Sequence, residues 1–322
     1  MKLNILYLPY RRFHYADVFI KIMNKVKIKD FHVTVCGMNH HRDKCADIAN
    51  RLQAIGISSS PFNVTSGWTN YLDKLKGALN LNYEYTIKID EDIFLNPGTW
   101  EYFINSLDIL NDNSKGLLSP IISNGIPTVD NFIYKHMESA EKSKIEKMFS
   151  ETKIPNLWGA NYSTLDTLLR NRGYESDSYY DAVSKINHHY KGIHPIRVSM
   201  DAQLYLNQWI MDNFDKFFID REYSVEGSSR PYLCNSVFGI KTAKYHAILH
   251  DESLFKDCFD EVAVNNYLKR HNQVKMLISN NFGIHTMYNT IYAETHAEHE
   301  QYILDKEEEF FQFIKKQVDE KL

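Results

Sequence analysis

The feature that most constrains this chain is the alternation of two hydrophobic periods over its first 95 residues. Residues 2–8 form a short apolar run that ends at Pro9, as a buried strand would. Residues 15–27 then carry Val18, Phe19, Ile22, Met23 and Val26 at helical spacing. The β-branched run 31–36 stops at Gly37, and Ile48, Leu52 and Ile55 mark a second helix over 45–55. Residues 58–64 read as strand or loop, 68–81 as a helix striped by Trp68, Leu72, Leu75 and Leu79, and 85–89 as a strand. Strand and helix repeats place side chains on faces in incompatible ways, so each segment is committed to one element. Alternation of this kind predicts an α/β fold with a mostly parallel sheet and helices on both faces. Ligands of such sheets sit at the carboxyl ends of the strands.

Residues 124–232 differ, with polar helices over 139–149 and 199–214 among loops rich in Ser, Asn, Tyr and His. A strand over 235–240, a helix over 261–270 and a strand over 274–278 restore the alternation. Residues 297–321 form a charged amphipathic helix with Ile303, Phe310, Phe313, Ile314 and Val318 apolar. Such a stripe packs on the body or is offered to a partner, as in a dimer through this helix, or to a membrane surface. No linker, repeat or low-complexity tract divides the chain. One domain is therefore expected over 1–322: a ligand-binding half (1–123), an insertion (124–232), a second half (233–295) and the C-terminal helix (296–322).

Composition narrows the class. With 43% hydrophobic and 24% charged residues over 322 positions, a buried core is expected and disorder is not. A formal charge of -4 provides no global field for nucleic acid, although a local basic groove stays open. No apolar run approaches the roughly 20 residues that span a bilayer. The apolar run before Pro9 is too short for a signal peptide. Cys36, Cys45, Cys234 and Cys258 form no CxxC pair. The expectation is a reduced, cytoplasmic protein, or one peripheral at a membrane.

The chemistry concentrates at Asp90-Glu91-Asp92, between the apolar strand 85–89 and Ile93-Phe94-Leu95. Three carboxylates at the carboxyl edge of a sheet repel one another unless a cation sits with them. Hard oxygen ligands favour Mg²⁺ or Mn²⁺, ions that commonly share their shell with a diphosphate. There is no GxGxxG or P-loop for NAD or ATP, no GxSxG for a serine hydrolase and no RRM signature. The adjacent pairs His40-His41 and His188-His189 are expected to point apart. His296 and His299 are expected at an exposed helix start.

The run Asp90-Glu91-Asp92 resembles the DxD signature of GT-A glycosyltransferases, nucleotide-sugar enzymes with a Rossmann-like domain. Gly77, thirteen residues before Asp90, and Glu84-Tyr85 match the spacing of the family-2-like members; Asp73-Lys74-Leu75-Lys76 replaces their usual Ala-Arg-Asn. Pro9-Tyr10-Arg11-Arg12 is similar to strand ends that cradle the nucleotide base, and residues 235–241 to the strand that floors the donor sugar. The resemblance implies a single GT-A fold and a Mn²⁺ or Mg²⁺ cofactor. The implied donor is a nucleotide sugar, with a UDP-sugar first. It also implies transfer to a glycan, lipid-linked, protein or modified-base acceptor.

Residue roles are implied in the same way. Asp92, Asp90 and His285 would hold the metal, with Asp90 near the ribose or the ion. Pro9, Arg11, Arg12, Lys74, Asp90 and Glu91 would line the donor site, with Lys76 a further phosphate contact. Glu261 or Asp260 would be the general base of an inverting reaction, with Asp257 a rival and retention open. Trp158, Tyr179, Tyr180, Tyr190 and Arg197 are candidate acceptor walls, while Asp201 is a helix-dipole partner. Metal-dependent nucleotidyl transfer and non-catalytic sugar binding are the competing readings.

Overall fold

The computed structural model describes residues 2–10, 12–64, 71–123, 133, 136–151, 196, 199–213, 223–226, 236–254, 260–286 and 297–322. Strand β1 (Leu3–Leu8) leads through a 3-10 turn (Phe13–Tyr15) into helix α1 (Ala16–Lys25). Next come β2 (His32–Met38), α2 (Arg42–Ala54), β3 (Ser58–Val64), α3 (Tyr71–Ala78), β4 (Tyr85–Asp90) and the short β5 (Ile93–Leu95). Then follow α4 (Pro97–Asn105), β6 (Lys115–Ile122), α5 (Ser139–Glu151), α6 (Met200–Asp212) and β7 (Tyr223–Glu226). The chain ends with β8 (Val237–Lys241), α7 (Thr242–His250), α8 (Asp260–Arg270), β9 (Val274–His285) and α9 (Ala297–Lys321).

Among the described residues the strands form one sheet ordered β3-β2-β1-β4-β8-β6-β9-β5, with β7 also paired to β9. Strands β3, β2, β1 and β4 are parallel. Strand β8 runs antiparallel between β4 and β6, β6 and β9 are parallel, and β5 and β7 are antiparallel to β9. The sheet is thus mixed and mostly parallel, Rossmann-like in its first half and flanked by helices, as the alternation predicts.

The strand period explains the two layers. Ile5 and Tyr7 of β1 join a larger core with α1, α2, α4, α6 and α9, while Leu6 and Leu8 join a smaller one with α3, α7 and α8. Helices α1 and α2 carry the chain outward from β1 to β3. Helix α3, on the other face, returns it past β1 to β4. The reversal falls between β1 and β4, whose carboxyl ends meet with Leu8 and Asp90 in register, the position at which sheets of this kind bind ligands.

Three local readings change. Gly37 does not end β2, which runs on to Met38; a Cβ at Gly37 would collide with the Cys45 sulfur, so the glycine marks a close helix–strand approach. The late strand does not end at residue 278: β9 continues to His285, with a register shift against β6 between Pro120 and Ile121. His40 and His41 do not point apart, their ring centroids lying 3.9 Å from each other in a 3-10 turn. The strand β6 and helix α4 were not anticipated, although Asn96-Pro97 is a start signal: Asn96 Oδ1 accepts from Thr99 N at 2.7 Å and Pro97 takes the first turn.

Helix α9 buries Phe310, Phe311, Ile314 and Val318 in the larger core, and Phe311 stacks on Tyr15 with centroids 3.9 Å apart. These four residues of its apolar stripe are covered by its own chain, Phe313 is half-buried, and the Ile303 side chain lies outside the described residues. Among the described residues no helix is long and apolar enough to cross a membrane.

Candidate active site

The acidic triplet begins inside β4 and ends before β5, at this carboxyl edge. Its three carboxylates have separate partners. Asp90, half-exposed, follows the strand alternation onto the face of Lys88, whose Nζ is 2.9 Å from Asp90 Oδ1 and whose side chain is 1% exposed. Lys74 of α3 is buried on the same face. Burial pushes its ammonium down, opposed by the Cys36 thiol and the Asp90 carboxylate. The backbone N of Asp90 donates to Ser236 O at 2.8 Å, which draws the start of β8 against the triplet.

Glu91 turns back to the β1 loop. Its Oε2 accepts from the backbone N of Tyr10 at 2.7 Å and of Arg12 at 3.0 Å. Arg12 Nη1 also lies 3.8 Å from Glu91 Oε1, and the guanidinium bonds the buried Glu307 carboxylate of α9. Burial lowers the Arg12 pKa, but Glu307 first and then Asp92 outweigh it and raise it overall.

Asp92 and His285 are brought together. His285 Nε2 lies 3.4 Å from Asp92 Oδ2, and both side chains are buried. Pairing of β5 with β9 sets this contact, with Ile93 opposite His285. The backbone around the pair is held on every side. His285 N donates to Ser123 Oγ at 3.1 Å, Asn207 Nδ2 donates to His285 O at 3.3 Å, and Thr286 N donates to Asp92 O at 3.0 Å. Burial pushes the Asp92 carboxyl up. The His285 imidazole, by charge and hydrogen bond, and then the Arg12 guanidinium outweigh this and hold it below its ordinary value. Burial, followed by Glu91 and Asp92, pushes the nearby Tyr7 phenol up.

Of the residues expected at the site, Pro9, Arg12, Lys74, Asp90, Glu91, Asp92 and His285 lie on the elements that meet here, Pro9 buried and Lys76 half-buried on α3. Asp90 is not joined to the Asp92–His285 pair: among the described residues no three carboxylate, imidazole or thiol groups are placed to share a metal. Asp260 and Glu261 open α8, but their side chains lie outside the described residues, as do Arg11, Asp257, His188, His189, His296, the His299 side chain, Trp158, Tyr179, Tyr180, Tyr190 and Arg197. Asp201 stands in the first turn of α6 behind its cap Ser199, whose Oγ accepts from Ala202 N at 3.2 Å. Sequence reasoning passed over Lys88, Ser123, Asn207, Thr286 and Glu307. Two carried a signal: Lys88 interrupts an apolar strand, and Glu307 falls on the apolar stripe of its helix.

No protein-family description matches the chain, and no curated protein matches it. Among solved structures, the chain is similar to an active-site mutant of LgtC, at 13% identity and a TM-score of 0.34, over 82% of this chain and 69% of that one. A superposition this loose leaves the architecture to be argued from the sheet order and the site from its own geometry.

Proposed function

We propose that the chain is a metal-dependent glycosyltransferase that moves a sugar from a nucleoside diphosphate to an acceptor hydroxyl. The observation that carries this reading is the buried Asp92–His285 pair, 3.4 Å apart, just beyond the carboxyl end of β4, where the strand order reverses. A carboxylate oxygen with an imidazole nitrogen suits Mn²⁺. Asn207 Oδ1 and Tyr7 Oη are buried without a hydrogen-bond partner among the described residues, so polar atoms beside the pair stand ready for a bound group. The residues therefore fit an ion held by Asp92 and His285, with donor phosphate oxygens completing its shell. Bound there, the ion would act as a Lewis acid toward the charge appearing on the departing diphosphate.

The chain's own residues supply the rest. Glu91 fixes the β1 loop through two backbone amides, which presents Tyr10 and Arg12 beside the triplet. Arg12 orients the donor diphosphate, and Asp90, steadied by Lys88, faces the ribose. Glu261 at the start of α8, or Asp260 beside it, takes the proton of the attacking hydroxyl, giving inversion. UDP is the first nucleotide to test, and residues 124–232 supply the acceptor site.

Thermal melts with Mn²⁺, UDP and both together test the reading. Joint addition is expected to raise Tm, by linkage worth about 2.7 kcal/mol when ligand is at a hundred times Kd, and Asp92→Ala is expected to abolish the rise. No shift with any common nucleotide would sink the proposal. Pyrophosphate release from a nucleoside triphosphate would assign nucleotidyl transfer instead.

A further inference from the structure

Glu307 is out of place in a helix that serves only to cover the core. It sits three residues before Phe310 on the stripe that continues through Ile314 and Val318, and its side chain is 4% exposed. Burying a carboxylate is costly, so a glutamate on a core stripe needs a strong partner. That partner is Arg12, 295 positions away in the chain. Arg12 in turn faces Glu91, and Glu91 accepts from the backbone N of Tyr10 and of Arg12. A continuous line of charge-assisted contacts therefore runs from α9 to the loop after β1, beside Asp92.

Docking of α9 does not depend on this line. Phe311 stacks on Tyr15 and lies 6.3 Å from Phe94, and Lys21 Nζ pairs with Asp319 Oδ1 at 2.7 Å. An apolar side chain at 307 would serve packing as well, without the desolvation cost. We propose that Glu307 is a positioning residue of the donor site: acting through Arg12, it fixes residues 9–12 beside Asp92 and makes α9 part of the binding unit. The inference rests on the function proposed above for its ligand, while its geometry stands apart from that reading.

The test compares Glu307→Gln with Asp319→Asn, which breaks a different contact between α1 and α9. Two quantities are measured: amide hydrogen exchange at Tyr10 and Arg12 in the ligand-free protein, and affinity for UDP with Mn²⁺ by calorimetry. Glu307→Gln is expected to speed exchange at both amides and weaken UDP roughly tenfold, the scale of one charge-assisted hydrogen bond. Asp319→Asn is expected to change neither. The variant Glu307→Leu leaves Arg12 facing Glu91, so it keeps the test open where Glu307→Gln folds poorly; it should show the same fast exchange and weak binding. Wild-type exchange and affinity in the Glu307 variants would overturn the proposal, as would losses of equal size in Asp319→Asn. Absence of binding of any common nucleotide by the wild-type protein would sink the proposed function alone, because the exchange result still decides whether Glu307 holds the loop.

Discussion

Several charged groups of this chain are buried, and each is settled by what faces it. Lys88 has Asp90 and Arg12 has two glutamates, whereas half-buried Lys244 donates to the Lys115 carbonyl at 2.9 Å with Lys241 nearby. Burial, with a smaller push from Lys241, lowers Lys244 to about 8. The unfolded chain keeps that proton to about pH 10.4. Between these values the unfolded state binds more protons than the folded one, so the Lys244 contribution to stability rises with pH across the window. Burial raises Cys36 to about 12 and Cys45 to about 11. Those thiols stay protonated in the fold after the unfolded chain has ionised them, and they pull stability down over much the same range. A comparison of variant with parent separates the effects. Lys244→Met is expected to raise Tm at pH 7, with the gain shrinking steadily from pH 8 to pH 10. A gain independent of pH in differential scanning calorimetry would refute the assignment.

At the scale of elements, what could be read depended on period. Helices α1 and α2 and strands β1 and β4 were legible because their apolar residues repeat cleanly. Residues 97–105 and 115–122 were not, since one is marked chiefly by its Asn-Pro start and the other depends on neighbouring strands for its burial. Gly37 reads as a break because glycine in a strand signals either a turn or a close approach, and only the neighbours decide. At the site, the acidic triplet stood out by its apolar flanks, and the link to His285 rested on family resemblance. Asp90 meets Lys88 two residues back on the same strand, whereas the partner of Asp92 lies on β9, which no local pattern joins to the triplet. Gly37 offers a direct check. Gly37→Ala would push a methyl into Cys45, and overpacking of this kind costs about 1–3 kcal/mol. Cys45→Ala makes room for it, so the double variant should be more stable than the sum of the two single changes predicts, by at least about 1 kcal/mol in urea unfolding. Strict additivity would mean that the approach of α2 to β2 is not the reason for the glycine.

At the scale of the molecule, the first and last helices close on each other. Helix α9 lies against α1 and the turn after β1, with His14 Nε2 2.9 Å from Glu308, and Lys321 reaches the Met211 carbonyl at the end of α6 at 2.8 Å. Four of its side chains, Phe310, Phe311, Ile314 and Val318, are buried in the core, each worth about 1.5–3 kcal/mol. Their sum is comparable with the whole stability of an ordinary domain, about 5–15 kcal/mol. A dimerisation arm and an integral helix therefore differ in one measurable respect. Ending the chain after residue 296 would leave a folded monomer with an unchanged Tm if α9 were an arm. The structure predicts instead that this truncation uncovers Tyr15 and Phe94, abolishes the cooperative melt and gives a species that binds hydrophobic dye. Restoring residues 297–322 as a separate peptide should recover the transition only in part, because an isolated helix must first pay the entropy of ordering its residues. A truncated chain that melts like the full one would show that the larger core is complete without α9, and would remove the physical basis for placing Glu307 in the site.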